Sequence, residues 1–210
     1  YAYVNPHALI CARILGRDGR YPPGRPLFVH RLQVALALRE RLYAAPFYRL
    51  VHGESDGLPG LVLDRYGDVV VGQIGTAGME GLKAEIIGAL EKVIAPRTVL
   101  WKNDSGAREL EGLPSYVETA HGEAIDHVWV EENDVRFRVP IGAGQKTGWF
   151  YDQAANRRSF LKYVNGARVL DVFSYLGDWG LSAARAGASE VLCVDSSAPA
   201  LELLQQSADE

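Results

Sequence analysis

The chain has 210 residues, of which 48% are hydrophobic and 23% are charged, a composition typical of folded globular proteins. No apolar run approaches the roughly 18 residues that a membrane-spanning helix needs, and no signal peptide is visible at the start; we therefore predict no membrane partner. The net charge of −4 disfavours a general nucleic-acid-binding protein, so any contact with RNA must rely on a local basic cluster.

The two cysteines, Cys11 and Cys193, both lie in apolar strand-like segments far apart in the sequence. This usage argues against a disulfide framework and against a zinc site, and it favours a reducing cytosol as the location. The five histidines show no ligand-like spacing. We therefore predict no metal site.

The first two thirds of the chain predict an α+β domain. Residues 1–18 are predicted to form strands with a turn at 16–19, and the proline-rich segment Tyr21–Pro26 is predicted to be a linker. Apolar spacing predicts a helix over 27–45 and another from Met79 to Val93. Strands are predicted at 48–52, 61–63, 69–74 and 99–101, and a hairpin over 127–131 and 135–139. We place this central domain at residues 25–140.

The sequence changes character after Pro140. A glycine-rich segment at 141–148 leads into a predicted helix at 152–163, with Asp152 as its N-cap. A strand at 168–172, a loop at 173–180, a helix at 181–186, a strand at 190–194 and a helix at 198–206 then follow. This order is a βαβ unit, which predicts the opening of a Rossmann-like, doubly wound parallel sheet over residues 141–210.

The two predicted strands each end at a carboxylate, Asp171 and Asp195. Ligands of open α/β sheets bind outside the carboxyl ends of the strands, so both side chains are expected to face one crevice. An acidic residue at the position of Asp195 is suited to accept hydrogen bonds from ribose hydroxyls. The alternative is that both carboxylates only cap the strand ends.

The loop between strand and helix discriminates between nucleoside cofactors. It contains Gly177 and Gly180 but lacks the G-x-G-x-x-G pattern of a nicotinamide site, and Asp178 would repel a pyrophosphate. S-adenosylmethionine (SAM) carries a sulfonium and an ammonium group, which suit acidic and aromatic side chains such as Asp171, Phe173 and Tyr175. We therefore predict SAM as cofactor, with a nucleotide-dependent oxidoreductase as the weaker alternative.

Three segments resemble, in order, a known family of class I SAM-dependent methyltransferases that act on cytosine C5 of large-subunit ribosomal RNA. They are His52–Asp68, then Lys102–Asp104 with Arg108 and Glu111–Leu113, then Gln145–Gln153 with Arg157 followed by Val169–Tyr175. Residues 3–15 are similar to the last strands of the PUA RNA-binding domain that precedes the central domain in this family, so we assign residues 1–20 to such a domain.

The resemblance implies a cytoplasmic enzyme that methylates 23S rRNA, with a homodimer left open as its assembly. In such chemistry a cysteine thiolate adds to C6 of the cytosine, which activates C5 for methylation. The family's nucleophilic Cys and its acidic proline-containing motif lie beyond the position that corresponds to Glu210. We accordingly assign no catalytic residue and expect this chain to be a fragment that is inactive by itself. Asp178-Trp179 replaces the small residues usual in the family, which leaves the role of Asp178 open.

The resemblance and the crevice together give a set of candidate cofactor-binding residues. They are Gln145, Lys146, Thr147, Phe150, Asp152, Arg157, Asp171, Phe173, Ser174, Tyr175, Gly177, Asp195 and Ser196. We expect residues 145–157 to fold over the cofactor as a lid, with Phe150 or Tyr151 against it and with Lys146 and Arg157 either facing RNA or holding Asp152. The alternative to the lid is a plain linker. The alternative to the enzyme is a noncatalytic RNA-binding or assembly module with a vestigial cofactor fold.

Overall fold

The computed structural model describes residues 1–20 and 22–210; Tyr21, the first residue of the predicted linker, lies outside the described residues. The chain divides into two compact units, Tyr1–Ile125 and Asp126–Glu210. The hairpin that the sequence analysis placed at the end of the central domain therefore lies in the second unit. None of the helices in the described part is long and apolar enough to cross a membrane.

The first unit begins with a small antiparallel hairpin of β1 (Ala2–Val4) and β2 (Ala12–Ile14). Its Tyr3 hydroxyl donates to the carbonyl oxygen of Pro59 at 2.9 Å and lies 2.9 Å from Thr76 Oγ1. The Tyr3 ring lies directly over Gly78, where an added Cβ would come within 2.1 Å of it. Residues 1–20 are thus part of the first unit, and β1 and β2 form a two-stranded sheet within it.

A five-stranded sheet of order β3-β4-β5-β6-β7 forms the body of the first unit. Its strands are β3 (Phe47–His52), β4 (Leu61–Tyr66), β5 (Val69–Ile74), β6 (Thr98–Asn103) and β7 (Tyr116–Gly122). All neighbours are antiparallel except β5 and β6, which are parallel and need a crossover. Strand β7, which the sequence analysis missed, is an edge strand whose residues are exposed or half-buried.

Helices cover this sheet and complete its core. Helix α1 (Arg25–Leu42) begins with a proline in its first turn and buries Phe28 and Leu32 completely. The crossover consists of α2 (Ala77–Glu80) and α3 (Lys83–Val93). The single helix predicted from Met79 to Val93 is therefore interrupted at Gly81-Leu82, because apolar spacing alone does not reveal where a backbone turns.

The second unit contains the antiparallel hairpin of β8 (His127–Glu132) and β9 (Val135–Pro140), and the parallel pair β10 (Arg168–Val172) and β11 (Glu190–Val194). Its helices are α4 (Ala154–Phe160), α5 (Asp178–Arg185) and α6 (Ala198–Ala208). Helix α5 packs on β10 and β11, and α6 packs on β9. The predicted βαβ unit is confirmed, with both strand bounds as predicted.

The predicted helix 152–163 is shorter than expected and flanked by single 3-10 turns. Tyr151–Gln153 and Leu161–Tyr163 form these turns, and only Ala154–Phe160 is α-helical. Asp152 is not the N-cap: Gln153 holds that position and makes no side-chain capping bond. Asp152 instead pairs with Lys146, because an ion pair outside the helix competes for its carboxylate.

Candidate cofactor site

The parallel register of β10 and β11 brings the two predicted carboxylates to one edge of the sheet. Asp171 pairs with Cys193, and Asp195 follows the last paired residue of β11. Asp171 Oδ2 accepts a hydrogen bond from the backbone N–H of Gly180, in the first turn of α5, at 2.9 Å. Burial raises the pKa of Asp171, and the negative charge of Asp195 raises it further. The register therefore brings the two side chains to one edge of the sheet, close enough for the charge of Asp195 to raise the pKa of Asp171.

Asp195 binds backbone N–H groups of the loops that follow β10 and β11. Its Oδ2 accepts from the backbone N–H of Tyr175 and its Oδ1 from that of Ser197, both at 2.8 Å. These backbone hydrogen bonds lower the pKa of Asp195, because donors stabilise the carboxylate form. Asp171 and Asp195 thus do cap neighbouring backbone, as the alternative interpretation held. A carboxylate oxygen has further acceptor capacity, so capping does not exclude a ligand.

The loop after β10 adopts a strained conformation. Phe173 and Tyr175 have φ of +62° and +50°, in the left-handed region that side chains other than glycine seldom occupy. Phe173 is 87% exposed, whereas Ser174 between them is buried and its Oγ has no hydrogen-bond partner within the described part of the chain. Such strain in non-glycine residues is typical of ligand-binding loops.

Tyr175 joins this loop to the glycine-rich segment. Its hydroxyl accepts from the backbone N–H of Gln145 at 3.1 Å and lies 3.4 Å from the carbonyl oxygen of Gly148. The ring of Phe150 meets the Tyr175 ring edge-on, with centroids 5.8 Å apart. Burial raises the pKa of Tyr175, so its hydroxyl stays protonated at neutral pH. The predicted lid segment is therefore held beside the cofactor loop.

Lys146 and Asp152 form an ion pair at the outer side of this segment. Lys146 Nζ lies 3.1 Å from Asp152 Oδ2 and 4.2 Å from the centroid of the Phe150 ring. Burial raises the pKa of Asp152, but the hydrogen bond and charge of Lys146, together with the hydrogen bond from Gln153, outweigh it and the net shift is downward. The expectation that a basic side chain holds Asp152 is thus met by Lys146.

Arg157 has a different role from the one predicted. Its side chain is fully buried, donates from Nη1 to Asp178 Oδ2 at 2.6 Å and from Nη2 to Glu132 Oε2 at 2.8 Å, and lies over the Trp149 ring. Arg157 therefore neither faces RNA nor holds Asp152, because two buried carboxylates take up its donors. We call Glu132, Arg157 and Asp178 the arginine cluster.

The arginine cluster explains the role of Asp178, which the sequence analysis left open. Burial raises the pKa of Asp178 to about 6, although Arg157 beside it lowers that pKa. Asp178 begins α5, so the cluster joins the start of this helix to the β8–β9 hairpin. The sequence analysis missed Glu132, which it treated as a hairpin turn residue. The available signal was that Glu132, Asp178 and Arg157 lie in one unit and could pair by charge.

The remaining predicted site residues differ in exposure. Thr147 and Gly177 are buried, whereas Gln145 and Ser196 are exposed. Gly177 has φ of +74° and lies against Leu204, which leaves no room for a side chain there. The candidate set is therefore concentrated in two neighbouring segments, 145–157 and 171–177, with Asp195 and Ser196 completing the edge.

The two cysteines are poor candidates for a nucleophile. Burial and the nearby carboxylates Asp171 and Asp178 raise the pKa of Cys193 to about 11, so it is a neutral thiol at neutral pH. Cys11 is exposed and lies in the loop between β1 and β2 of the other unit. Within residues 1–20 and 22–210, no group of three or more His, Cys, Asp or Glu could hold a metal ion.

Comparison with known proteins supports the cofactor. Residues 109–207 match the S-adenosylmethionine-dependent methyltransferase family. Among curated relatives, the ribosomal RNA large subunit methyltransferase I of Photobacterium profundum is 40% identical over 202 residues, which cover 94% of this chain and 51% of the relative. The Vibrio vulnificus protein of the same name is 38% identical and is covered to 53%. The chain thus spans about half the length of the curated relatives it matches.

Solved structures show the same fold. A Streptococcus mutans protein described as a SAM-dependent methyltransferase aligns with 99% of this chain and 54% of its own, with a TM-score of 0.82 and 22% identity. A methyltransferase complexed with S-adenosylhomocysteine (SAH) aligns with 95% of this chain and 51% of its own, with a TM-score of 0.80 and 22% identity. The Rossmann-like methyltransferase fold is thereby confirmed, and SAM is the cofactor of the matching family, as the sequence predicted.

Proposed function

We propose that the second unit binds SAM in the crevice between Asp171 and Asp195, and that the whole protein methylates C5 of a cytosine in 23S rRNA. One observation carries the proposal: the segment that matches the methyltransferase family contains both carboxylates, and the parallel strands bring them to one edge of the sheet. The relatives named for ribosomal RNA support the substrate class, and the resemblance of three ordered segments supports cytosine C5.

The residues at this edge fit the cofactor's chemistry. SAM supplies a methyl group on a sulfonium centre, together with an ammonium group, a ribose and an adenine. Asp195 would accept hydrogen bonds from the ribose, and Asp171 would offer negative charge to the cationic part. The exposed ring of Phe173 and the unpartnered Ser174 hydroxyl are available beside them. Because the pKa of Tyr175 is raised, its hydroxyl stays protonated. It can then bond to the lid segment 145–157 and hold it in place.

The chemistry at cytosine C5 requires a thiolate that adds to C6 of the base. Cys193, with a pKa of about 11, is a neutral thiol, and the family resemblance places the nucleophile at neither Cys193 nor Cys11. We therefore assign the cofactor half of the site to this chain and name no nucleophile. The proposal further includes residues 1–20 as the end of a PUA domain, ribosomal RNA as partner, and the cytoplasm as location.

Titration calorimetry tests the cofactor directly. We expect the protein to bind SAM and SAH but not NAD, because the loop lacks the G-x-G-x-x-G glycines that let the backbone approach a pyrophosphate. Binding of NAD in place of SAM would overturn the proposal.

A transfer assay with tritiated SAM and 23S rRNA tests the substrate. Methyl incorporation at a cytosine C5 supports the full proposal, and incorporation at another atom overturns the cytosine assignment. Binding of SAM by the whole protein without transfer to any ribosomal RNA would favour the noncatalytic assembly module instead.

A further inference from the structure

A cavity of about 310 Å³ lies in the first unit and is lined by residues of that unit alone. It opens where the strands of the five-stranded sheet end: His52 ends β3, Ile74 ends β5, and Lys102 and Asn103 end β6. Arg108 enters from the 3-10 helix Gly106–Glu111 that follows. We propose that this cavity binds a phosphate group of the RNA substrate. The choice of RNA as the ligand rests on the proposed function. The preference of the cavity for a phosphate group is argued from the cavity's own residues.

One of the donor atoms of Arg108, Nη2, is buried and has no hydrogen-bond partner among the described residues. Its side chain is 1% exposed. Nε donates to the carbonyl oxygen of Pro114 at 2.9 Å, and Nη1 donates to Glu80 Oε2 at 3.0 Å and to the carbonyl oxygen of Ile74. Nη2 is buried, and it has no hydrogen-bond partner in residues 1–20 and 22–210. Leaving such a donor unpaired costs free energy, so an acceptor from outside the chain would stabilise it.

Lys102 contributes a second buried cation to the same wall. Its side chain is 4% exposed and its ammonium group pairs with Asp104. An ammonium group has three donors, so the pair with Asp104 leaves capacity for another acceptor. Lysine is rarely buried in this way. Both cations already have a carboxylate partner, Asp104 for Lys102 and Glu80 for Arg108, so what they offer a ligand at this cavity is unused hydrogen-bond donors.

The neighbouring polar groups favour an acceptor as the ligand. Glu54, the carboxylate on the cavity wall, already accepts from Arg13 Nη1 at 2.7 Å through Oε1. Asn103 Oδ1 accepts from the backbone N–H of Ile74 at 2.7 Å, which fixes the end of β6 against β5. Donor capacity remains on Lys102, on Arg108 Nη2 and on Asn103 Nδ2, which is also buried without a partner among the described residues. A phosphate group is rich in acceptor oxygens and can accept from several such donors at once.

The test compares Lys102→Met with Lys92→Met in the full protein. Lys92 is an exposed lysine on α3 of the same unit, so it controls for the loss of one positive charge. Affinity for a single-stranded RNA oligonucleotide is measured at several salt concentrations, with thermal unfolding of each variant as the control for folding. SAM affinity and binding of inorganic phosphate are measured in parallel.

We expect Lys102→Met to remain folded, to bind RNA about 10-fold more weakly, and to lower the slope of log affinity against log salt by about 0.7, the value for one lost contact with single-stranded RNA. Lys92→Met should keep the RNA affinity and the salt slope within about twofold of the wild-type values. A folded Lys102→Met protein with wild-type RNA affinity and slope would overturn the proposal, as would phosphate binding that depends on Lys102 while RNA binding does not. If RNA binding depends on Lys102 and SAM does not bind, the proposed function fails and the phosphate site stands.

Discussion

Arg157 joins two carboxylates that the sequence separates widely: its Nη1 lies 2.6 Å from Asp178 Oδ2, and its Nη2 lies 2.8 Å from Glu132 Oε2. Asp178 is the first residue of α5, and in the same turn the backbone N–H of Gly180 donates a hydrogen bond to Asp171. The arginine cluster therefore fixes the helix that forms one wall of the proposed cofactor crevice. A buried charge of this kind stabilises only as long as every partner is present.

Replacing Arg157 by Met should strongly destabilise the second unit. The change leaves Glu132 and Asp178 buried without their cation, and breaking a buried ion pair by removing one partner costs about 3–5 kcal/mol. Chemical denaturation followed by tryptophan fluorescence, which reports on the adjacent Trp149, measures the loss. Arg158→Met, a change at an exposed arginine on the same helix, is the matched control; equal stability of both variants would contradict a structural role for Arg157.

Asp178 should make stability depend on pH between about 4 and about 6. Its pKa is raised from 3.8 to about 6 in the folded protein, so the folded state holds a proton that the unfolded state releases in this window. Stability from this group is therefore present at low pH and is lost as pH rises through 6. Asp178→Asn mimics the protonated form, so the unfolding free energy of the variant minus that of wild type should rise by roughly 2–3 kcal/mol from pH 4 to pH 7. A difference that stays constant over this range would contradict the raised pKa.

Asp195→Ala should weaken SAM binding by roughly 1–3 kcal/mol, which corresponds to about a 5- to 150-fold rise in Kd. The variant loses the predicted bonds to the ribose and also frees the backbone N–H groups of Tyr175 and Ser197. Calorimetry with SAM, adenosine and adenine separates these causes, since adenine lacks the ribose and should lose affinity only through the freed backbone groups. Asp209→Ala, at the C-cap of α6, is the control. Unchanged affinity of Asp195→Ala would remove this residue from the site.

Tyr175→Phe should loosen the lid segment without unfolding the unit. The change removes the hydroxyl that accepts from the Gln145 N–H and contacts the Gly148 carbonyl oxygen, while the contact between the aromatic rings remains. Hydrogen exchange at residues 144–150 should accelerate, and SAM affinity should fall severalfold. Tyr163→Phe removes a hydroxyl from a tyrosine that is 78% exposed and should change neither. Faster exchange in the control alone, or in neither variant, would contradict the link.

Removal of both cysteines should leave SAM binding and methyl transfer by the whole protein intact. The pKa of about 11 for Cys193 keeps its thiol neutral, and a neutral thiol is a poor nucleophile. A double variant, Cys11→Ala with Cys193→Ala, is assayed for transfer of a tritiated methyl group to 23S rRNA. Loss of transfer with retained SAM binding would overturn the exclusion of these cysteines; the single variants would then identify which one acts.

The sequence by itself determined the βαβ unit, both bounds of β10 and β11, and the placement of Asp171 and Asp195 at one edge of the sheet. These features depend on local patterns: short apolar runs that end in an acidic residue, and glycines in the loop between them. The same local reasoning selected SAM over NAD, since it needed only the residue types of one loop.

Only the tertiary structure decided which charges pair. The sequence analysis expected Arg157 to face RNA or to hold Asp152, because Arg157 and Asp152 both lie in the expected lid. Arg157 instead binds Glu132 and Asp178, which are 25 and 21 residues away. Strand β7 was missed because an edge strand that is mostly exposed carries no apolar alternation. The unpaired Nη2 of Arg108 is likewise invisible in the sequence, because hydrogen-bond satisfaction depends on which distant groups the fold brings together.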